Sequence, residues 1–188
     1  GAQGGDGGFI ETSGHSLDVA GARVDASAPS GQTGQWLLDP NNVEIRPGTG
    51  TASNISTGVS PWTTSGNSAA VYADTIKTTL ANGTDVTITT ARAVPDSEAG
   101  DIELKAGALI APVLGGPRTL TLNAHGSIVL GTGAQISATG NKLNVNLYAD
   151  SDGAGGGAIL MNSGSSIASN GGNVTLAGGA GGTGNAVG

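Results

Sequence analysis

Apolar and polar positions alternate in short stretches along the second half of the chain, and the same pattern returns several times. The stretch Ile-x-[Leu/Met]-x-x-Gly-[Ala/Ser]-x-Ile occurs without gaps at residues 102–110, 128–136 and 159–167. An apolar–polar–apolar triplet precedes each copy, at residues 86–88, 120–122 and 145–147, and a fourth triplet occupies residues 174–176. Alternation with a period of two predicts strands that bury one face.

The repeating unit starts at residues 86, 120, 145 and 174, that is, at intervals of 34, 25 and 29 residues. Repeats of this length are typical of solenoids, in which stacked strands lie about 4.8 Å apart and equivalent positions touch. We therefore predict an all-β fold, a right-handed parallel β-helix of around six coils. The predicted core consists of the apolar positions of the repeats: Val86, Ile88, Ile102, Leu104, Ile110, Leu120, Leu122, Ile128, Leu130, Ile136, Val145, Leu147, Ile159, Met161, Ile167, Val174 and Leu176.

Glycine is predicted to form the corner inside each long repeat, at Gly107, Gly133 and Gly164, because it tolerates backbone angles that other residues avoid. Residues 46–72 break the pattern and predict a loop insertion that leaves the coil. One short helix is predicted near residues 74–82, with Asp74 as its N-cap and Gly83 after its end. The whole of residues 1–188 is expected to be one β-helix segment of a longer protein, with a frayed Gly-rich end at 177–188.

Composition narrows the range of functions. Gly supplies 35 of the 188 residues, aromatic residues are 3% and charged residues 11%, which suits a narrow aliphatic interior with small residues at its corners. The net charge of −7 and the absence of a basic run argue against nucleic acid as a partner. The chain has no cysteine, so its stability is expected to come from stacking rather than from disulfides.

Several motifs in the first half resemble one family. They are Gly-Gly-Asp-Gly-Gly-Phe-Ile-Glu-Thr-Ser-Gly at residues 4–14, Val-Asp-Ala-Ser-Ala at 24–28, Trp-Leu-Leu-Asp-Pro at 36–40 and Val-Glu-Ile at 43–45. Residues 76–90 and 170–176 add two further blocks. Together they resemble the filamentous haemagglutinin-like and high-molecular-weight adhesins. The resemblance implies an exoprotein of Gram-negative bacteria, secreted by the two-partner route to the cell surface as an adhesin or a stalk.

No catalytic site or metal site is predicted, and no cofactor. The outward positions of the long repeat are Glu103, Val129 and Leu160, so these repeats do not stack carboxylates as a β-helix polysaccharide lyase or hydrolase would. Turn positions explain Asp101, Asp150 and Asp152 better than catalysis does. The segment at 150–153 lacks the ligand spacing of a calcium loop, and the two histidines are isolated in sequence.

The sequence thus favours a structural rod or stalk segment that mediates adhesion or presents distal domains, and not an enzyme. The expected partners are a host or neighbouring-cell receptor or glycan, the outer-membrane transporter through a domain outside this chain, and other copies joined end to end. The alternative is a carbohydrate-binding or polysaccharide-cleaving β-helix that uses the 46–70 loop, with Trp62, Asn54 and Asn67 as ligand residues. Candidate glycosylation sequons begin at Asn54, Asn82 and Asn173.

Overall fold

The chain folds as a parallel β-solenoid with three walls, which confirms the predicted fold class. The structure is a computed structural model that describes residues 5–13, 19, 21–28, 31–39, 42–49, 69–90 and 99–180. Every strand pair in these residues is parallel, and from residue 84 onward each wall collects one strand per turn. Parallel neighbours need long connections, and here each connection is the rest of the turn.

The walls differ in the number of strands. Wall A stacks six: β1 (Phe9–Ser13), β2 (Gly34–Asp39), β5 (Thr84–Thr89), β8 (Arg118–Asn123), β11 (Leu143–Ala149) and β14 (Val174–Gly178). Wall B contains β3 (Val43–Arg46), β4 (Ala69–Tyr72), β6 (Ile102–Leu104), β9 (Ile128–Leu130) and β12 (Ile159–Met161). Wall C contains β7 (Leu109–Ile110), β10 (Gln135–Ser137) and β13 (Ser166–Ala168).

The number of turns is about four, fewer than the six that the sequence predicts. Wall A does have six layers, but β1 and β2 are not part of complete three-walled turns within the described residues. Five spacings of about 4.8 Å give wall A a length of about 24 Å along the solenoid axis. The first half of the chain therefore adds layers to walls A and B without a matching strand of wall C for each layer.

The register stacks like positions on like, as the repeat predicts. In wall A, Val86 pairs with Leu120, Leu120 with Val145, and Val145 with Val174. Wall B stacks Ile102, Ile128 and Ile159 in the same way, and wall C stacks Ile110, Ile136 and Ile167. Twelve of the seventeen predicted core side chains, those from residue 86 to residue 147, are fully buried. Each such side chain stabilises the fold by about 1.5–3 kcal/mol.

The last five predicted core residues are less buried than the other twelve, although two of them pack against the core. Ile159 and Ile167 are partly buried, and Met161, Val174 and Leu176 are 45%, 45% and 46% exposed. Each lies in register with a fully buried residue of the preceding turn. They occupy the last layer of the described solenoid, so no further described layer covers them.

The interior between β1 and β5 departs from the expected aliphatic pattern at one position. Trp36 on β2 is fully buried, between Ile10 on β1 and Val86 on β5 in the wall A register. Its indole Nε1 donates a hydrogen bond to Thr12 Oγ1 at 3.0 Å. A buried indole N–H needs such an acceptor.

The corners of the long repeat are three equivalent turns. The amides of Ala108, Ala134 and Ser165 each donate to the carbonyl oxygen three residues earlier, at 2.9, 2.9 and 3.0 Å. Gly107, Gly133 and Gly164 occupy the third position of these turns with φ of 73°, 68° and 71°. A turn with positive φ at that position requires Gly or Asn, which explains the repeated glycine.

Helix α1 (Ala73–Ala81) lies where the sequence predicts a helix, one residue earlier at each end. Ile76 and Leu80 are fully buried on one face, and Gly83 follows the helix with φ of 96°. Asp74 is not the N-cap. That position belongs to Tyr72, and Asp74 lies in the first turn, where it pairs with Lys77. The helix packs on β5 and β7, so it takes the place of a wall C strand above β7.

Strand β4 enters wall B out of sequence order. It pairs with β3 on the side opposite β6, so the order of wall B is β12-β9-β6-β3-β4. The chain then continues through α1 to β5 in wall A. The two ends of the predicted 46–72 insertion are therefore strand residues, since residue 46 ends β3 and residues 69–72 form β4. The rest of that prediction lies mostly outside the described residues, as do residues 181–188 of the predicted frayed end.

Candidate functional site

Four charged side chains form a ladder on the outer face of wall B. Glu44 on β3 lies in register with Glu103 on β6, so the two carboxylates are cross-strand neighbours. Lys105 bridges them, with Nζ 2.9 Å from Glu44 Oε1 and 2.6 Å from Glu103 Oε2. Arg46 donates to Glu44 Oε2 through Nη2 at 2.7 Å and Nε at 2.9 Å. We call Glu44, Arg46, Glu103 and Lys105 the wall B charge ladder.

This ladder lies beyond the prediction that the three long repeats stack no carboxylates, which the wall B register bears out. That prediction compared Glu103 only with Val129 and Leu160, which follow it in the wall B register. The preceding layer is Val-Glu-Ile at residues 43–45, and its glutamate was the missed partner. The signal was present, because Val-Glu-Ile-Arg-Pro-Gly at residues 43–48 has the pattern of Ile-Glu-Leu-Lys-Ala-Gly at residues 102–107. Gly48 stands at the corner position with φ of 70°.

The charges of the ladder compensate one another. Partial burial raises the pKa of Glu44, but hydrogen bonds from Lys105 and Arg46 outweigh it, so the pKa of Glu44 lies below its ordinary value. Hydrogen bonds to Glu103 and Glu44 raise the pKa of Lys105. General acid–base catalysis by two carboxyls needs one that keeps its proton near neutral pH. The lowered pKa keeps Glu44 ionised near neutral pH, so Glu44 does not fill that role and stays paired with Lys105 and Arg46.

Lys105→Met is expected to lower the free energy of unfolding by about 1 kcal/mol at pH 7, because it removes the cation between Glu44 and Glu103 and leaves only Arg46 to compensate two neighbouring carboxylates. The folded-state pKa of Glu44 is lowered, so its contribution is present above its unfolded value and is lost as pH falls through the folded value. The difference from the parent chain should therefore shrink below about pH 4.5. Urea unfolding at several pH values measures it, with the exposed Lys142→Met as control. A difference that is independent of pH would contradict this origin.

A second set of polar side chains connects successive turns at the corner before wall B. The amide of Asp101 donates to Asn42 Oδ1 at 2.7 Å, and the amide of Ser127 donates to Asp101 Oδ1 at 2.6 Å. The amide of Ala158 completes the series by donating to Ser127 Oγ at 3.2 Å. Asp101 is thus a turn residue with a specific role, since its carboxylate satisfies an amide of the next turn that lies outside the strand ladder.

The acidic segment after β11 is held by its own backbone. Asp150 Oδ1 accepts from the amide of Gly155 at 2.7 Å, and Asp152 Oδ1 accepts from the amide of Ala154 at 3.1 Å. His125 Nδ1 lies 3.9 Å from Asp152 Oδ2, which is beyond hydrogen-bonding distance. Within the described residues, no group of three His, Cys, Asp or Glu side chains could hold a metal ion.

The predicted ligand residues are not brought together by the described structure. Trp62, Asn54 and Asn67 lie outside the described residues. Asn82 is exposed at the C-cap of α1, and Asn173 is exposed just before β14, where its amide donates to Asn144 Oδ1 at 3.0 Å. The side chains of Asn82 and Asn173 are therefore accessible, whereas Thr84 of the Asn82 sequon is fully buried and its Oγ1 accepts the amide of Ala26. No helix in the described part of the chain is long and apolar enough to cross a membrane.

Comparisons with known protein families and curated proteins assign no family to this chain. Neither the models of known protein families nor the curated proteins include a match. The resemblance to the filamentous haemagglutinin-like adhesins thus depends on the short motifs quoted above and on the observed parallel β-solenoid. We conclude that the described residues form a β-solenoid of about four turns, with one helix in place of a strand.

Proposed function

We propose that this chain is a structural rod segment of a secreted bacterial surface adhesin, similar to those of the filamentous haemagglutinin-like family. The observation that carries the proposal is the in-register stacking of like side chains in all three walls. Each turn contacts only its neighbours, so such a structure extends by adding turns and carries load along its axis. The proposed location is the surface of a Gram-negative cell, after transport through an outer-membrane partner.

The chemistry of the outer faces supports a scaffold rather than an enzyme. The wall B charge ladder pairs both of its carboxylates, and the carboxylate of Asp101 accepts a backbone amide. The outer face of wall A consists largely of Thr and Asn side chains that bond between layers, such as Gln35 Nε2 to Thr87 Oγ1 at 2.7 Å. These polar groups are used to connect turns, which is the role that a load-bearing solenoid requires.

End-to-end association remains part of the proposal. In the described solenoid, β12, β13 and β14 form its last layer and have one unpaired edge each, beside the exposed Met161, Val174 and Leu176. At the opposite end, β1 and β4 present strand edges in walls A and B, but α1 occupies wall C. Strand pairing in all three walls is therefore available only at the β12–β14 end. Copies or further turns would join there.

Pulling the chain from its two ends by single-molecule force spectroscopy tests the rod. We expect unfolding in steps of one turn, because each turn is bonded to its neighbours along three walls. Turns of 25–34 residues would release about 85–115 Å of contour length per step. Lengthening at low force without steps, or a single event that releases the whole chain, would contradict the proposal.

A further inference from the structure

An open cavity of about 450 Å³ lies between the segment at residues 21–23 and the outer side of α1. Its size falls in the range of about 300–1,000 Å³ that is usual for small-molecule sites. The side chains that matter for its chemistry are Arg23, Thr49, Tyr72, Asp74, Thr78 and Asn82. Thr49 directly precedes residues 50–68, in which the sequence predicts ligand residues, and Tyr72 ends strand β4, which follows them.

Local structure places these groups around one space. Asp74, Thr78 and Asn82 follow one another at intervals of four residues, so they lie along one stripe of the helix and its C-cap. The opposite stripe, with Ile76 and Leu80, is buried in the solenoid. Arg23 follows a turn in which the amide of Ala22 donates to the carbonyl oxygen of Val19 at 3.0 Å and Gly21 has φ of 74°.

Some of the polar groups are held in place and others are free to bind. The Asp74 carboxylate is paired with Lys77, and the Tyr72 hydroxyl lies against the Arg46 guanidinium of the wall B charge ladder. Among the described residues, the side chains of Arg23, Thr78 and Asn82 have no hydrogen-bond or ion-pair partner. The cavity therefore combines a fixed aromatic ring and carboxylate with open donors and acceptors.

We propose that this cavity binds one saccharide unit of a glycan. A sugar hydroxyl both donates and accepts, which matches the open groups of Arg23, Thr78 and Asn82. The apolar face of a sugar ring matches an amphipathic aromatic side chain such as Tyr72. An apolar ligand would leave the polar groups unpaired, and each buried unpaired group costs about 1–3 kcal/mol. A phosphate dianion would face the carboxylate of Asp74.

Glycan binding at this cavity is independent of the proposed rod function, because a rod needs no ligand. Either proposal can therefore be wrong while the other holds. Binding at the cavity also moves the expected glycan contact from Trp62 to the groups beside α1. The solenoid supplies the rigidity, because α1 is fixed through its buried face while its outer stripe faces the cavity. Side chains on a fixed helix lose little freedom on binding, which favours affinity for a single sugar.

The test uses the whole chain, produced without glycosylation, on an array of neutral hexose, N-acetylhexosamine and uronic-acid oligosaccharides. Calorimetry then measures the affinity of the glycan that binds best. Thr78→Leu fills the cavity and removes a hydroxyl, so we expect at least about tenfold weaker binding. Ala81→Leu is the matched control, because Ala81 is exposed on the same helix outside the cavity. It should change affinity by less than about twofold.

A second measurement locates the contact independently of the variants. Titration of the ¹⁵N-labelled chain with the same glycan should shift amide resonances of residues 21–23 and 72–82 and leave those of wall C unchanged. Arg23→Ala should weaken every glycan that binds, and it distinguishes acidic from neutral sugars because the loss should exceed about threefold where the sugar carries a carboxylate. No binding on the array would overturn the proposal, and so would binding that Thr78→Leu leaves intact with shifts elsewhere.

Discussion

Trp36→Ala is expected to lower the free energy of unfolding by about 3–5 kcal/mol, the largest effect of any single change considered for this chain. The indole is fully buried between two layers of wall A, and alanine would leave a cavity that strand pairing on both sides keeps from closing. It would also remove the hydrogen bond to Thr12. Urea unfolding followed by circular dichroism measures the loss.

The matched control is Leu37→Ala, one residue further along β2 on the outer face and only partly buried. It should cost less than about 1 kcal/mol, because alternation along a strand places adjacent residues on opposite faces. Trp36→Phe should fall between the two, since it keeps an aromatic ring but leaves Thr12 without its donor. Equal losses for Trp36→Ala and Leu37→Ala would contradict the inward position of the indole.

Gly157→Ala is expected to lower the free energy of unfolding by about 2–3 kcal/mol. A Cβ atom at this position would overlap the carbonyl oxygen of Gly126 and lie 2.6 Å from the amide nitrogen of Asp150. Both are backbone atoms, so neither can rotate away. Relief requires the two turns to separate, which strains the bonds from Asp150 N to the Gly126 carbonyl (3.0 Å) and from Ile128 N to the Ala158 carbonyl (2.9 Å).

Hydrogen exchange of the Ile128 amide checks this result locally, and thermal unfolding checks it globally. Gly115→Ala is the control, because nothing lies within 4 Å of the added Cβ and its φ is not in the left-handed region. That change should leave stability unchanged or raise it by up to about 1 kcal/mol through the unfolded state. Similar exchange rates of Ile128 in the two variants would show that the corner at Gly157 is not closely packed.

Much of the solenoid could be predicted because its information is local and repeated. Alternation at residues 86–88 and 120–122 fixes which side chains face inward, and the match of the next triplets to the same apolar–polar–apolar pattern fixes the register between turns. The corner glycines followed from the same repeat, and α1 from the spacing of Ile76 and Leu80. These features depend on residues that are close in sequence or identical in pattern.

The candidate sites were less accessible to sequence reasoning, because their parts are distant along the chain. Glu44 and Glu103 are 59 residues apart, and only the wall B register makes them neighbours. The cavity beside α1 joins Arg23 to Thr78 and Asn82 through a helix that replaces a strand. The sequence predicts only that Asp101 is a turn residue, whereas in the structure its carboxylate accepts a hydrogen bond from the amide of Ser127 in the next turn.

The sequence by itself determined that this chain is a parallel β-solenoid with aliphatic columns inside and glycine at its corners. Period-two alternation and a 25–34-residue repeat leave few other ways to bury the apolar positions. Only the tertiary structure decided that β4 pairs on the far side of β3, that α1 stands in for a wall C strand, and that Trp36 fits inside. Those outcomes depend on the space left by segments distant in sequence, and a local pattern of apolar and polar residues does not encode that space.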